Sequence, residues 1–211
     1  MVRYEQRLDT QPAWALREGG SHFGGGSAVH LALAKVTRRL EELRIPYVIA
    51  GGMALFFHGF RRFTEDVDIL VTPEGLERLH HELEGLGYVP LFPGSKNLRD
   101  AESGVRVEFL VTGEYPGDGK PKPVAFPDPE PASIERDGIR WLNLPALVEL
   151  KLASGISSPG RLKDLADVQE LIQLLRLPAD FAEQLRPFVR EKYGELWRSV
   201  QGEKEGAVAG G

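Results

Sequence analysis

Hydrophobic residues recur along the chain at two spacings, and each spacing predicts one kind of element. One stripe advances by three or four residues at a time: Val29, Leu33, Val36, Leu40 and Leu43. This is the period of an amphipathic helix, and Ser27 just before it is a suitable N-cap. The segment 105–111 instead alternates between apolar and polar residues, as a strand with one buried face does. The chain therefore contains both helices and strands.

Shorter apolar runs complete this outline. They predict strands at 47–50, 67–71, 88–92 and 139–142, a short buried helix at 53–60, a helix after Thr72-Pro73, and helices in the regions 147–154, 162–175 and 178–200. Pro187 is expected to break or kink the last helix. The order is α-β-α-β-α-β-β followed by helices, which predicts an α+β or α/β core and then a helical module.

Glycine-rich composition and a long loop suggest how the chain is divided. We predict four parts: a flexible N-terminal tail at 1–27, a core at 28–142, a C-terminal helical module at 143–200 and a flexible tail at 201–211. The segment 113–138 contains six prolines and predicts a loop that is functional or mobile.

Composition narrows the function classes. The chain has 211 residues, 26 Lys+Arg, 31 Asp+Glu and a net charge of −5, which argues against a wide nucleic-acid-binding face. It contains no cysteine, which excludes disulfides, thiolate zinc sites and cysteine nucleophiles. The missing cysteines fit a reducing compartment, and no apolar run approaches the length of a membrane span. We therefore expect a cytoplasmic protein without a membrane partner.

Two aspartates at the start of a predicted strand are the strongest chemical signal. Asp66 and Asp68 are two positions apart, so on a strand they project from the same face, about 6.5–7 Å apart at Cα. Neighbouring carboxylates repel unless a cation neutralises them, and an all-carboxylate set favours Mg²⁺ or Mn²⁺. Glu108, on the polar face of strand 105–111, is the best candidate for a third acid. The alternative is that Asp66 and Asp68 lie on an ordinary solvated edge.

The residues around these acids suggest a phosphate-bearing ligand. Gly51-Gly52 follows a predicted strand and precedes a helix, where backbone N–H groups can approach a phosphate. Arg62 and Thr64 are candidates to contact a polyphosphate through a charge and a hydroxyl. The alternatives are that the glycines form a simple turn and that Arg62 pairs with Glu65 or Asp66.

The combined pattern resembles a known superfamily. The stretches Ala50–Leu55 and Arg62–Ile69, with His58-Gly59 between them, are similar to the signature of the DNA polymerase β-like nucleotidyltransferases. Within it, they look most like small bacterial proteins grouped with abortive-infection toxins, and aminoglycoside and lincosamide nucleotidyltransferases open similarly. The resemblance implies a nucleotidyltransferase-type mixed sheet flanked by helices. Together with the order of the elements, this predicts an α+β fold whose core is followed by a C-terminal helical module.

It also implies a site and a reaction. Asp66 and Asp68 match the metal ligands, Glu108 the third carboxylate, acting as ligand or base, and Gly51 and Gly52 the phosphate-side loop. The implied cofactor is a pair of Mg²⁺ or Mn²⁺ ions, and the implied substrate is a nucleoside triphosphate. A nucleoside monophosphate would pass to an acceptor hydroxyl with release of pyrophosphate.

The second half extends the resemblance. Leu147–Ser154 and Arg161–Val168 are similar to a segment that borders the active site in the toxin-like group. This makes Lys151 a candidate catalytic residue and Asp164 a candidate nucleotide-binding residue. The alternatives are that Lys151 extends to solvent and that Asp164 and Asp167 complement a helix dipole.

The acceptor is left open by the sequence. A toxin, paired with an antitoxin, would modify RNA or a protein, and a basic patch could be formed by Arg161, Lys163, Arg186 and Arg190. An antibiotic-modifying enzyme would instead modify a small molecule. A third hypothesis is a nucleotide-binding or partner-binding module that kept the fold without turnover.

Overall fold

The helices and strands follow the predicted order, with additions at the N-terminus and in the loops. A computed structural model describes the backbone of residues 2–209 and the side chains of residues 2–202. The helices in this range are α1 (Tyr4–Thr10), α2 (Pro12–Phe23), α3 (Ala28–Glu42), α4 (Gly51–Phe57), α5 (Pro73–Leu83), α6 (Leu144–Ser157), α7 (Leu162–Leu175) and α8 (Pro187–Ala209). The strands are β1 (Tyr47–Ile49), β2 (Asp66–Val71), β3 (Tyr88–Pro90), β4 (Leu98–Asp100), β5 (Arg106–Val111), β6 (Ser133–Arg136) and β7 (Ile139–Leu142).

All seven strands of the described chain join one mixed sheet in the order β3-β4-β5-β2-β1-β7-β6. The central pair, β2 and β5, is parallel, and β1 is parallel to β7. The remaining pairs are antiparallel. A mixed sheet with helices before, between and after its strands confirms the predicted α+β fold class.

The chain divides into two compact units. The first comprises Met1–Phe57, Arg61–Thr112 and Pro127–Leu142 and contains the sheet with helices α1 to α5. The second comprises His58–Phe60, Gly113–Phe126 and Asn143–Gly211 and contains α6, α7 and α8. The proline-rich segment is thus shared: its first part belongs to the second unit, and β6 belongs to the first.

The core of the first unit forms where α3 packs on the sheet. The Ser27 hydroxyl accepts a hydrogen bond from the backbone N–H of His30, as expected of an N-cap. The predicted apolar stripe of α3 is buried except at Leu43, which packs against the core from a partly buried position. Val67 and Val107, on neighbouring strands, are fully buried in the same core. The period-2 pattern therefore sends one face of β2 and β5 into the core and leaves the other face for the acids.

The N-terminal segment, for which a flexible tail was predicted, is largely helical. Residues 4–23 form α1 and α2. The buried Tyr4 hydroxyl donates to Glu18 Oε1 at 3.1 Å, and the buried His22 contacts the carbonyl of Arg62 through Nε2 at 3.1 Å. A carbonyl can only accept, so Nε2 carries the proton. Burial is the main cause that lowers the pKa of His22.

Smaller differences lie elsewhere. Strands β4 and β6 were not predicted. The region 178–200 is broken at Pro187, as one of the two expected outcomes has it: a short 3-10 segment (Ala179–Gln184) precedes α8, which begins at Pro187. The predicted C-terminal tail is helical as far as residue 209, and its last two residues lie outside the described range. Among the described helices, none has the length and apolar character needed to cross a membrane.

Candidate active site

The three predicted acids lie on one face of two neighbouring strands. In the parallel pairing of β2 with β5, Asp66 is opposite Arg106 and Asp68 is opposite Glu108. Residues in register on parallel strands project to the same side, and adjacent strands are only about 4.8 Å apart. We call Asp66, Asp68 and Glu108 the acid face. Its members are partly exposed, so the acids meet at a surface that a ligand can reach.

An arginine that the sequence analysis did not single out lies between two of these acids. Arg106 Nη2 donates to Asp66 Oδ2 at 2.9 Å, and Arg106 Nε lies 2.9 Å from Glu108 Oε1. Burial opposes the charged form of Arg106, but the carboxylates of Glu108 and Asp66 outweigh it, so the pKa of the guanidinium is raised. The sequence does place Arg106 two residues before Glu108, and this spacing on a strand predicts that both side chains project from the same face.

The glycine pair makes room for two side chains of the site. Gly51 has a φ of +57°, and a Cβ there would lie 2.5 Å from Cγ of Asp68. A Cβ on Gly52 would lie 2.5 Å from Oγ1 of Thr64. Real Cβ atoms do not come this close, and L-residues rarely adopt this φ. The glycines therefore let Asp68 and Thr64 pack against the first turn of α4, whereas their contact with a phosphate stays a prediction.

Thr64 and Arg62 occupy the segment that leads into β2. The buried Thr64 hydroxyl donates to Asp66 Oδ1 at 3.0 Å, so Thr64 orients the first acid. Arg62 Nη1 donates to the carbonyl of Phe63 at 3.2 Å, and its own carbonyl is held by His22. The arginine shown 2.9 Å from Asp66 Oδ2 is Arg106, which the pairing alternatives did not include.

The first helix adds further negative charge near the acid face. Burial raises the pKa of the Glu65 carboxyl, and the next largest cause is the negative charge of Asp66. Glu5 and Asp9 of α1 act in the same direction. Glu5 is itself fixed by Arg99, whose Nη1 and Nη2 donate to its two oxygens at 2.7 and 2.9 Å. The surroundings of the acids thus favour a bound cation.

In the second unit, Lys151 is held between two acids. Its Nζ lies 2.9 Å from Asp164 Oδ1 and 2.7 Å from Asp167 Oδ2, and the three side chains are 8, 14 and 3% exposed. The Ser154 hydroxyl donates to the other oxygen of Asp164 at 2.7 Å. Burial opposes ionisation of Asp164, but Lys151 and the hydrogen bonds outweigh it, so its pKa is lowered. These contacts join α6 to α7.

The donor chemistry of the acid face fits a hard divalent cation, because three carboxylates on one face are the ligands that Mg²⁺ and Mn²⁺ prefer. As the side chains are arranged, the described part of the chain contains no group of three or more His, Asp or Glu residues positioned to hold a metal ion. The Arg106 guanidinium is the positive charge that these acids hold instead. The acid face therefore has the ligand chemistry of a divalent cation site, and Arg106 supplies the positive charge between Asp66 and Glu108.

Comparison with solved structures confirms the fold. The crystal structure of ANT(2'')-Ia in complex with adenylyl-2''-tobramycin matches with a TM-score of 0.51 and 15% identity, over 82% of this chain and 97% of that one. The solution structure of the antibiotic-resistance factor ANT(2'')-Ia matches with a TM-score of 0.50 and 15% identity, over 84% and 93%. No protein-family model matches the sequence, and no curated protein matches it significantly. The predicted resemblance thus holds at the level of the fold: the chain has a nucleotidyltransferase fold.

Proposed function

We propose that the protein is a metal-dependent nucleotidyltransferase that moves a nucleoside monophosphate from a nucleoside triphosphate to an acceptor hydroxyl. The observation that carries this proposal is the acid face, where the register of β2 and β5 brings together three carboxylates that are distant in sequence. Folds host many functions, so the site supports the proposal more directly than the fold does. The solved neighbours with the same fold agree with this class of reaction.

The proposed reaction assigns a separate role to each of several side chains: metal binding, orientation of Asp66 and contact with phosphate. Asp66 and Asp68 would hold Mg²⁺ or Mn²⁺, with Glu108 completing the set. When bound, such ions neutralise the triphosphate and stabilise the charge on the attacking and leaving oxygens. Thr64 keeps Asp66 oriented through its hydrogen bond. Arg62 is our candidate for a phosphate contact, since a guanidinium pairs well with phosphate oxygens.

The reaction balances without a further reagent. The acceptor oxygen forms a bond to the α-phosphorus, the bond from that phosphorus to the bridging oxygen breaks, and pyrophosphate leaves with that oxygen. The hydroxyl proton passes to the Glu108 carboxylate, which lies within the acid face and is 30% exposed. Lys151 fits a structural role better than the predicted phosphate contact, because two buried carboxylates already neutralise it. The same pairing favours a structural role for Asp164.

The test is pyrophosphate release with each nucleoside triphosphate in the presence of Mg²⁺ or Mn²⁺. We expect Asp66→Asn and Asp68→Asn to abolish release and to leave the folded structure intact, as judged by circular dichroism. Asp128→Asn is the matched control, because Asp128 is exposed and lies outside the acid face. Full activity of Asp66→Asn would rule out the metal chemistry. Nucleotide binding without any pyrophosphate release would favour the non-catalytic module.

The acceptor is identified by the same labelled nucleotides in a cell lysate. The ANT(2'')-Ia structure contains adenylylated tobramycin, so an aminoglycoside hydroxyl is one acceptor class to include. RNA and protein are the acceptors expected of a toxin, and an antitoxin partner would suppress their labelling. Separation of the lysate into RNA, protein and small molecules shows which fraction acquires the label.

A further inference from the structure

Arg106 is placed where the proposed reaction needs a metal ion. It lies on the same strand face as Glu108 and in register with Asp66, and a single guanidinium is 2.9 Å from an oxygen of each. Its side chain is 32% exposed, so it is not locked inside the core. The arginine therefore belongs to the acid face by geometry as well as by charge.

The pairing of Arg106 is incomplete as a structural bridge. Although its Nε is 2.9 Å from Glu108 Oε1, this N–H is buried and makes no hydrogen bond of acceptable geometry. Arg99 on the adjacent strand gives the contrast, because it is 7% exposed and donates from both Nη atoms to the two oxygens of Glu5. A buried donor left without an acceptor costs free energy, so the Arg106 pair is easier to separate than the Arg99 pair.

The local charge leaves room for a stronger cation. Arg106 contacts Asp66 and Glu108, while Asp68 lies on the same face of the two strands and Glu65 is the neighbour of Asp66 in the chain. A divalent ion carries twice the charge of a guanidinium in a smaller volume and binds carboxylate oxygens directly. A divalent ion can therefore compete for the same oxygens and displace Arg106 from Asp66 and Glu108.

We propose that Arg106 is a positioning residue that acts as a resident cation, holding Asp66 and Glu108 together and competing with the divalent ion for their oxygens. The inference rests on the proposed function only in taking the acid face as the metal site. It predicts that the protein alone binds divalent ions weakly. The displaced guanidinium would then be available to the anionic triphosphate, which it can contact through two parallel hydrogen bonds.

The test is titration of the nucleotide-free protein with Mn²⁺, followed by calorimetry and by the electron paramagnetic resonance signal of free Mn²⁺. Removing one positive charge a few ångströms from the ion, in Arg106→Gln, should tighten binding at least about tenfold. Arg106→Lys keeps the charge and should stay within about threefold of the parent. Arg140→Gln is the matched control, since Arg140 is an equally exposed arginine that pairs with Glu41 and not with the acid face.

Equal or weaker Mn²⁺ binding by Arg106→Gln would overturn the proposal, and so would equal tightening by Arg140→Gln. If Arg106→Gln is unfolded without metal, refolding on addition of Mn²⁺ at concentrations that do not affect Arg140→Gln supports the same idea. Failure of the two proposals is distinguishable. Tighter Mn²⁺ binding without pyrophosphate release from the parent protein refutes the function alone, whereas release combined with unchanged Mn²⁺ binding refutes the role of Arg106 alone.

Discussion

Replacing Lys151 with methionine tests whether this lysine supports the fold or the chemistry. The change keeps the unbranched apolar stem and removes the ammonium group that joins α6 to α7. Asp164 and Asp167, whose side chains are only 14 and 3% exposed, would then lose the ammonium group that lies between them. Lys151→Met should therefore unfold far more easily than the parent protein.

The magnitude follows from the burial of the network. Removing one partner of a buried ion pair costs about 3–5 kcal/mol, because an uncompensated charge stays in a poorly solvated place. Lys163→Met is the matched control, since Lys163 is exposed on α7, and it should change the free energy of unfolding by less than about 0.5 kcal/mol. Urea denaturation followed by circular dichroism measures both values.

The pH dependence provides a second readout. The pKa of Asp164 is lowered in the folded protein, so the folded state binds its proton less readily than the unfolded state. Its stabilising contribution is present above the ordinary carboxyl pKa of about 4 and is lost as the pH falls through the lower, native value. Lys151→Met should flatten this acid limb. Parent-like stability combined with lost nucleotide transfer would refute the structural assignment and restore the catalytic one.

Two further substitutions examine the site and its N-terminal support. Thr64→Val removes the hydrogen bond to Asp66 at nearly constant shape, so nucleotide transfer should fall by about threefold to tenfold in a pyrophosphate-release assay. Thr64→Ser keeps the hydroxyl and should retain activity. Equal loss of activity in both variants would contradict the role of the hydroxyl. Glu5→Gln leaves the buried Arg99 guanidinium without its carboxylate, which should lower the free energy of unfolding by about 1–3 kcal/mol in urea denaturation. An unchanged midpoint would mean that α1 contributes little to stability.

Periodicity predicted the acid face because the information is local. Asp66 and Asp68 share a face on any strand, and the alternation around Glu108 fixes which side of its strand is polar. Only the pairing of β2 with β5 had to be supplied by the resemblance to a family. The same locality explains why the N-cap at Ser27 and the stripe of α3 were predicted correctly.

The missed features depend on distant partners. The N-terminal segment has a flexible composition by itself, and its order comes from contacts such as Tyr4 with Glu18 and His22 with Arg62. The position of Arg106 two residues before Glu108 indicates only a shared strand face, whereas its contact with Asp66 joins residues 40 positions apart. Strand β4 is only three residues long, and two of those are charged, so its alternation carries no signal.

The separation of 40 positions between Asp66 and Arg106 also bears on the order of folding. Closing so long a loop is slow, and no fragment that contains one strand without the other can assemble the acid face. A divalent ion that needs all three carboxylates therefore binds only molecules in which β2 and β5 are already paired. By mass action it would hold the population in that state and slow the escape to partly opened forms.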